Sequence, residues 1–219
     1  EAIEAVCREY RVDRSRIVLR GSSLGGVGAW QLGLKRPDRY VAIGPAAGPV
    51  DTFVFANAPW KHFVRLEPLT PRQTKMLHMV DAIDYTANAR MVNVVAAMGD
   101  KDPYYDSHLL IEKEFAKEGI PFVGLVDVGA GHAITPKVME EQLRLLGESA
   151  AKGRDPFPKR VYFVTWTLKF SRCNWIEILG LQSHYERAMI DARVEADDSI
   201  VATELQNITR FAVHPPALQ

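Results

Sequence analysis

Along residues 1–13 the apolar side chains fall at Ile3, Val6, Cys7 and Tyr10, the spacing of one helical face, with polar residues between them. Residues 17–19, Ile-Val-Leu, form a short β-rich run, and residues 27–35 return to a helix-compatible pattern after a glycine-rich turn. Residues 40–45 read as a short buried strand that ends in a Gly/Pro-rich stretch, 46–49. Residues 51–90 differ in character: Trp60, His62, Phe63, Met76, Leu77, His78 and Met79 are scattered without strand alternation, over more chain than a plain loop needs. Short helices forming a cap or pocket wall are expected there.

From residue 91 strand and helix patterns alternate. Residues 92–98 predict a strand, 107–117 a helix, 121–128 a strand, 129–132 a glycine loop, and 136–146 a helix with proline in its first turn. This alternation implies an α/β domain over residues 1–148, with a mostly parallel sheet covered on both faces. Residues 149–160, centred on Gly153-Arg-Asp-Pro-Phe-Pro158, read as a linker. Beyond it, the runs 161–170, 175–179, 185–194, 199–203 and 208–213 mostly alternate apolar and polar residues with no helix between them. They predict a small antiparallel β-sandwich module over 161–219.

Composition narrows the partners. The 219 residues carry 27 Lys plus Arg against 27 Asp plus Glu, so the overall charge favours neither nucleic acid nor an anionic membrane surface. No apolar run is long enough to span a bilayer, and the first residues read as an amphipathic helix rather than a signal peptide, so no localisation is legible. Cys7 and Cys173 make neither a metal-ligand cluster nor a disulfide framework. A small neutral substrate is expected, with no cofactor and no metal. Trp166 and Trp175 are expected in the core of the β-module rather than at a carbohydrate site.

The chemistry centres on Gly21-Ser22-Ser23-Leu24-Gly25, a Gly-x-Ser-x-Gly turn between a strand pattern and a helix pattern. A serine hydroxyl becomes a nucleophile when it stands clear of the backbone within reach of a base, and nearly bare neighbours such as Gly21 and Gly25 make that turn. A carboxylate and then a histidine are needed downstream. Asp100 and Asp102 both follow the strand 92–98, and Asp102 is favoured as freer to reach across. His132 alone among six histidines sits in a glycine loop after a predicted core strand. His62, His78, His108, His184 and His214 are expected to be structural. The backbone N–H of Leu24, at the start of a helix, supplies one oxyanion donor. The segment before residue 17 has length for one helix only and carries no second-donor loop, so the chain is expected to be the C-terminal part of a longer polypeptide.

Residues 16–30, continuing through 36–40 and 44–48, resemble the elbow region of prolyl-oligopeptidase-like α/β-hydrolases, nearest the predicted peptidases and esterases related to feruloyl esterases and polyhydroxybutyrate depolymerases. The likeness continues through Gly99-Asp-Lys-Asp102 and Gly129-Ala-Gly-His132. It implies Ser23 as nucleophile, Asp102 as acid and His132 as base, in agreement with the spacing. Trp60, Phe63 and Tyr104 are expected to line the substrate pocket. Without a preceding half-domain, the strand at 17–19 becomes a sheet edge, open to self-association or to an N-terminal fragment. The expected activity is that of a serine hydrolase cleaving a small-molecule carboxylic ester through an acyl-enzyme; a peptidase acting on short peptides, and a non-catalytic scaffold with a vestigial triad, are the rival readings.

Overall fold

The computed structural model describes residues 2–57 and 68–214. After helix α1 (Ala2–Glu9), strands β1 (Val18–Ser22), β2 (Ala42–Ala46), β3 (Asn93–Gly99) and β4 (Val123–Asp127) form a parallel sheet in the order β1-β2-β3-β4. Among the described residues β1 and β4 are therefore its two edges. Side chains alternate between its faces, as the pleat requires. Ile43, Val94 and Ala96 join Trp30 and Leu34 of α2 (Leu24–Lys35) and Ile111 and Phe115 of α5 (Tyr105–Lys117). Ala42 and Val95 pack instead on Leu146 of α6 (Pro136–Lys152). These are the two covered faces that the α/β alternation predicts.

Proline in a central strand removes a ladder donor. The register sets Pro45 of β2 opposite the stretch of β3 where Ala47 N–H, two residues on, reaches the Ala97 carbonyl at 2.9 Å. Gln142 of α6, fully buried, fills the gap: its Nε2 donates to the Val95 carbonyl at 2.9 Å, and its Oε1 accepts from Arg20 Nε at 2.9 Å. A side chain from the covering helix thus replaces the missing backbone donor.

Between β2 and β3 lie α3 (Thr52–Asn57), α4 (Pro71–Leu77) and a 3₁₀ segment, Ile83–Arg90. The short helices expected over 51–90 are present where that stretch is described. Trp60, His62 and Phe63 lie outside the described residues.

Two boundaries depart from the sequence reading. Helix α6 runs to Lys152, through the start of the assigned linker, because Gly147 sits where nothing crowds the helix while Leu145, Leu146 and Ala150 continue its buried stripe. Gly153, at φ 75°, ends it. The strand expected over 161–170 stops at Thr165 in β5 (Arg160–Thr165). Trp166 turns away to donate its Nε1–H to the Asp84 carbonyl at 3.1 Å and stacks on His78, and Phe170 packs on the core beneath the parallel sheet.

The C-terminal strands form two three-stranded antiparallel sheets. One has the order β5-β8-β9, with β8 (Ala188–Val194) and β9 (Ile200–Gln206). The other has the order β10-β7-β6, with β6 (Arg172–Cys173), β7 (Ile176–Leu181) and β10 (Ile208–Val213). Phe163, Ile190 and Ala192 from the first share one core with Cys173, Trp175, Ile176 and Ile178 from the second. Trp175 is in this core, and Trp166 bridges to the other one.

Candidate active site

The strands of the parallel sheet all end on one side, and the chemistry-bearing side chains follow three of them. Ser23 sits between β1 and α2 at φ 56°, ψ −120°, a left-handed-side conformation that a non-glycine residue adopts only when its surroundings enforce it. The enforcement is visible. Ser23 N–H donates to the Ala46 carbonyl at 2.9 Å, and Val27 N–H returns to the Ser23 carbonyl at 3.0 Å. A Cβ on Gly21 would overlap the Gly25 carbonyl, so the strand must be bare where the helix folds back over it. Gly25 itself faces open space. Of the two glycines assigned to clearing the turn, only Gly21 is sterically required.

Asp102 lies just past β3, with its side chain fully buried. Its Oδ1 accepts from Tyr104 N–H at 2.8 Å, and its Oδ2 meets His132 Nδ1 at 2.8 Å. His132 Nε2 lies 2.8 Å from Ser23 Oγ. Ser23, His132 and Asp102 therefore form one continuous hydrogen-bonded line. Asp100 is turned the other way: its Oδ1 accepts from Gly129 N–H at 2.7 Å, which ties the loop after β3 to the loop after β4.

Those two loops touch closely. A Cβ on Gly99 would run into the Ala130 and Gly131 carbonyls, while Lys101 N–H reaches the Ala130 carbonyl at 2.9 Å. Asp127, at the end of β4, closes the His132 loop by accepting Thr135 N–H at 2.6 Å and, through its carbonyl, Ala130 N–H at 3.2 Å. The histidine is thus held from both ends.

Tyr104 is buried, its ring edge-on to His132 at 5.7 Å and stacked with Phe55 at 5.6 Å. Burial, and then the Asp102 charge, push its phenol above the ordinary range. Beside Leu24, which is 70% exposed, a cleft of about 210 Å³ is walled by Val27, Val50, Phe55 and Val80. Phe55, on the six-residue α3, and Val80, in the turn after α4, escaped the sequence reading because neither segment is long enough to show an amphipathic period. Of the five other histidines, His78 pairs with Asp84 at 2.8 Å and His214 with Glu177 at 2.7 Å, both away from this line, and burial pulls the His108 imidazole down. Among the described residues no three His, Cys, Asp or Glu side chains are grouped to hold a metal ion, and no helix is long and apolar enough to cross a membrane.

A family model described as the prolyl oligopeptidase family matches residues 1–147. Among solved structures the chain is similar to a puromycin-hydrolyzing peptidase of Mycobacterium tuberculosis, at 20% identity and a TM-score of 0.56, covering 68% of this chain and 24% of that one. It is also similar to the substrate-bound fluorophosphonate-binding serine hydrolase F of Staphylococcus aureus, at 14% identity and 0.53, covering 68% and 60%. A third is dipeptidyl peptidase 4 of Porphyromonas gingivalis, at 20% identity and 0.50, covering 63% and 20%. The chain spans between a fifth and three fifths of these proteins' lengths, and the likenesses establish an α/β-hydrolase fold. No curated protein matches.

Proposed function

The chain belongs to the prolyl oligopeptidase family, and from that premise we propose that it is a serine hydrolase that cleaves carboxylic esters through an acyl-enzyme. The observation that carries the reading is the line Ser23 Oγ, His132 Nε2, His132 Nδ1, Asp102 Oδ2, with 2.8 Å at each hydrogen bond. In this reading His132 takes the Ser23 proton as Oγ attacks the ester carbonyl carbon, and Asp102 fixes the ring and steadies the imidazolium. The tetrahedral oxyanion lies against Leu24 N–H, where the first turn of α2 favours negative charge. Collapse expels the alkoxide, which takes the proton from His132. Water, deprotonated by the same histidine, then attacks the acyl carbon and releases the acid and free Ser23.

The cleft beside Leu24 supports a substrate with a compact apolar acyl group, packed between Val27, Val50 and Phe55. Trp60 and Phe63 remain proposed pocket residues, and Tyr104 contributes its ring behind His132. The open edge of β1 supports pairing with a second copy of the chain or with an N-terminal fragment.

The test is a fluorophosphonate label read by mass spectrometry, beside p-nitrophenyl esters of increasing acyl length and short peptide amides. Labelling at Ser23 with ester turnover supports the proposal. Labelling with amide cleavage alone would move the activity to peptides, and failure to label would leave a scaffold.

A further inference from the structure

On the far side of α2 from Ser23, a cleft of about 570 Å³ opens between the parallel-sheet part and the C-terminal strands. Helix α2 is 12 residues long, so the cleft begins about 18 Å from the serine. Five arginines line it, Arg14, Arg36, Arg39, Arg154 and Arg172, against two carboxylates, Glu4 and Asp38. The excess is three positive charges, with His214 counted neutral.

The carboxylates are already spoken for. Glu4 takes Arg14 at 2.7 Å and Arg39 at 2.6 Å, and the Arg14 guanidinium, with Arg39 beside it, holds its carboxyl down at about 2. Asp38 accepts Asn174 N–H at 3.1 Å, and burial raises its carboxyl. Arg36, Arg154 and Arg172 form no close ion pair with a carboxylate among the described residues; the Arg154 charge acts on Asp38, without a salt bridge between them. The Arg36 guanidinium lies 5.7 Å from the Phe170 ring centroid, Arg172 Nε reaches only the Asn174 carbonyl at 3.5 Å, and Arg154 Nη1 only the Asp155 carbonyl at 3.4 Å. Like charges gathered in a part-buried cleft repel, and the repulsion is relieved by an anion.

Two buried polar atoms at the same place are also unmatched: Arg154 Nε–H, a donor, and Asn174 Oδ1, an acceptor. Buried groups of this kind are rare and ask for a partner. Arg154 is held to its position by its backbone N–H, which donates to the Ser15 carbonyl at 2.8 Å. Guanidinium forks match carboxylate and phosphate oxygens, and an acceptor beside them matches a hydroxyl.

We propose that this cleft binds a small multivalent anion, with carboxylate or phosphate oxygens on Arg36, Arg154 and Arg172 and a hydroxyl on Asn174 Oδ1. The proposal is independent of the ester reading, since no residue of the cleft touches Ser23, Asp102 or His132. The size of the cleft suits a compact molecule rather than a polymer.

Titration calorimetry of the full chain with citrate, pyrophosphate and inorganic phosphate, at matched ionic strength, tests it. One-site binding of citrate or pyrophosphate is expected, weakened about tenfold or more in Arg154→Ala and in Arg172→Ala. It should be unchanged in Arg144→Ala, whose guanidinium is tied to Glu141 and Glu148 outside the cleft. Citrate without pyrophosphate would assign the site to carboxylates, and the reverse to phosphates. Should Arg154→Ala fail to fold, the Arg36→Ala/Arg172→Ala pair makes the same test from exposed positions. Equal binding by wild type and variants, or no saturable binding of any probe, would overturn the proposal.

Discussion

The side-chain amide of Asn88 pairs with the backbone of Val164 as a neighbouring strand would, donating to its carbonyl at 2.9 Å and accepting its N–H at 2.7 Å. Asn88 is fully buried and also donates to the Leu34 carbonyl at 2.8 Å, so one residue joins the 3₁₀ segment, the end of α2 and β5. Asn88→Ala would strand two carbonyls and one N–H in the interior. A loss of about 3 kcal/mol or more is expected, read from the shift in denaturant midpoint. A change below about 1 kcal/mol would mean that the two parts are held by apolar packing alone.

Removing the proposed nucleophile should be all but complete in effect. Ser23→Ala is expected to lower ester kcat by about 10⁴-fold or more, because members of such a line act as a unit. Ser22→Ala, one residue earlier on β1, should keep most of the activity. Similar losses in both would place the defect in the turn rather than in the hydroxyl.

The two aspartates after β3 separate cleanly. Asp102→Asn should cost about 10⁴-fold in kcat, since an amide facing His132 Nδ1 favours the wrong tautomer. Asp100→Asn weakens the tie to Gly129 N–H and should cost about 1 kcal/mol of stability with most activity kept. Equal kinetic losses would contradict the assignment of Asp102.

Asp81 carries a pH dependence that can be isolated. It is 6% exposed and accepts Thr52 N–H at 3.1 Å as well as the Thr52 hydroxyl, and burial pushes its carboxyl from 3.8 up to about 6. A raised carboxyl binds its proton more tightly in the folded state. Its contribution is therefore present below pH 4 and lost as pH rises through about 6. Asp81→Asn keeps the acceptor and removes the titration. Its stability should match wild type near pH 4 and exceed it by up to about 3 kcal/mol at pH 7, less whatever attraction Lys35 supplies. Unfolding curves for the two proteins running parallel from pH 4 to 7 would exclude this role.

The edge of β1 that no strand pairs among the described residues yields the last expectation. A chain of residues 1–219 should associate through that edge, and an added N-terminal segment that pairs with it should compete. Size exclusion with light scattering reads both. A strictly monomeric chain at high micromolar concentration would count against it.

The strand, elbow and helix around Ser23 were legible because local sequence alone makes them: an apolar run, a bare glycine and a helical stretch. The succession of Asp102 and His132 was legible for the same reason, each following a strand. What escaped the sequence depends on partners far along the chain. Gln142 serves Val95 in place of Pro45, Asn88 binds Val164, and Trp166 leaves its strand for Asp84. Gly25 misled in the opposite sense, since a motif glycine drew a role that Gly21 fills. The five arginines of the second cleft are scattered from residue 14 to residue 172, and no window of sequence holds them together.

Among the described residues Ser23 leaves the parallel sheet from one outer strand and His132 from the other, so the 2.8 Å bond between them is drawn across the ends of four strands. Three strand spacings separate those margins, about 14 Å. The bond works as a gauge stretched over the sheet. It forms only when both β1 and β4 are in place. For the hydrolase proposed above, turnover during refolding would therefore act as a clock, starting only when both β1 and β4 have docked.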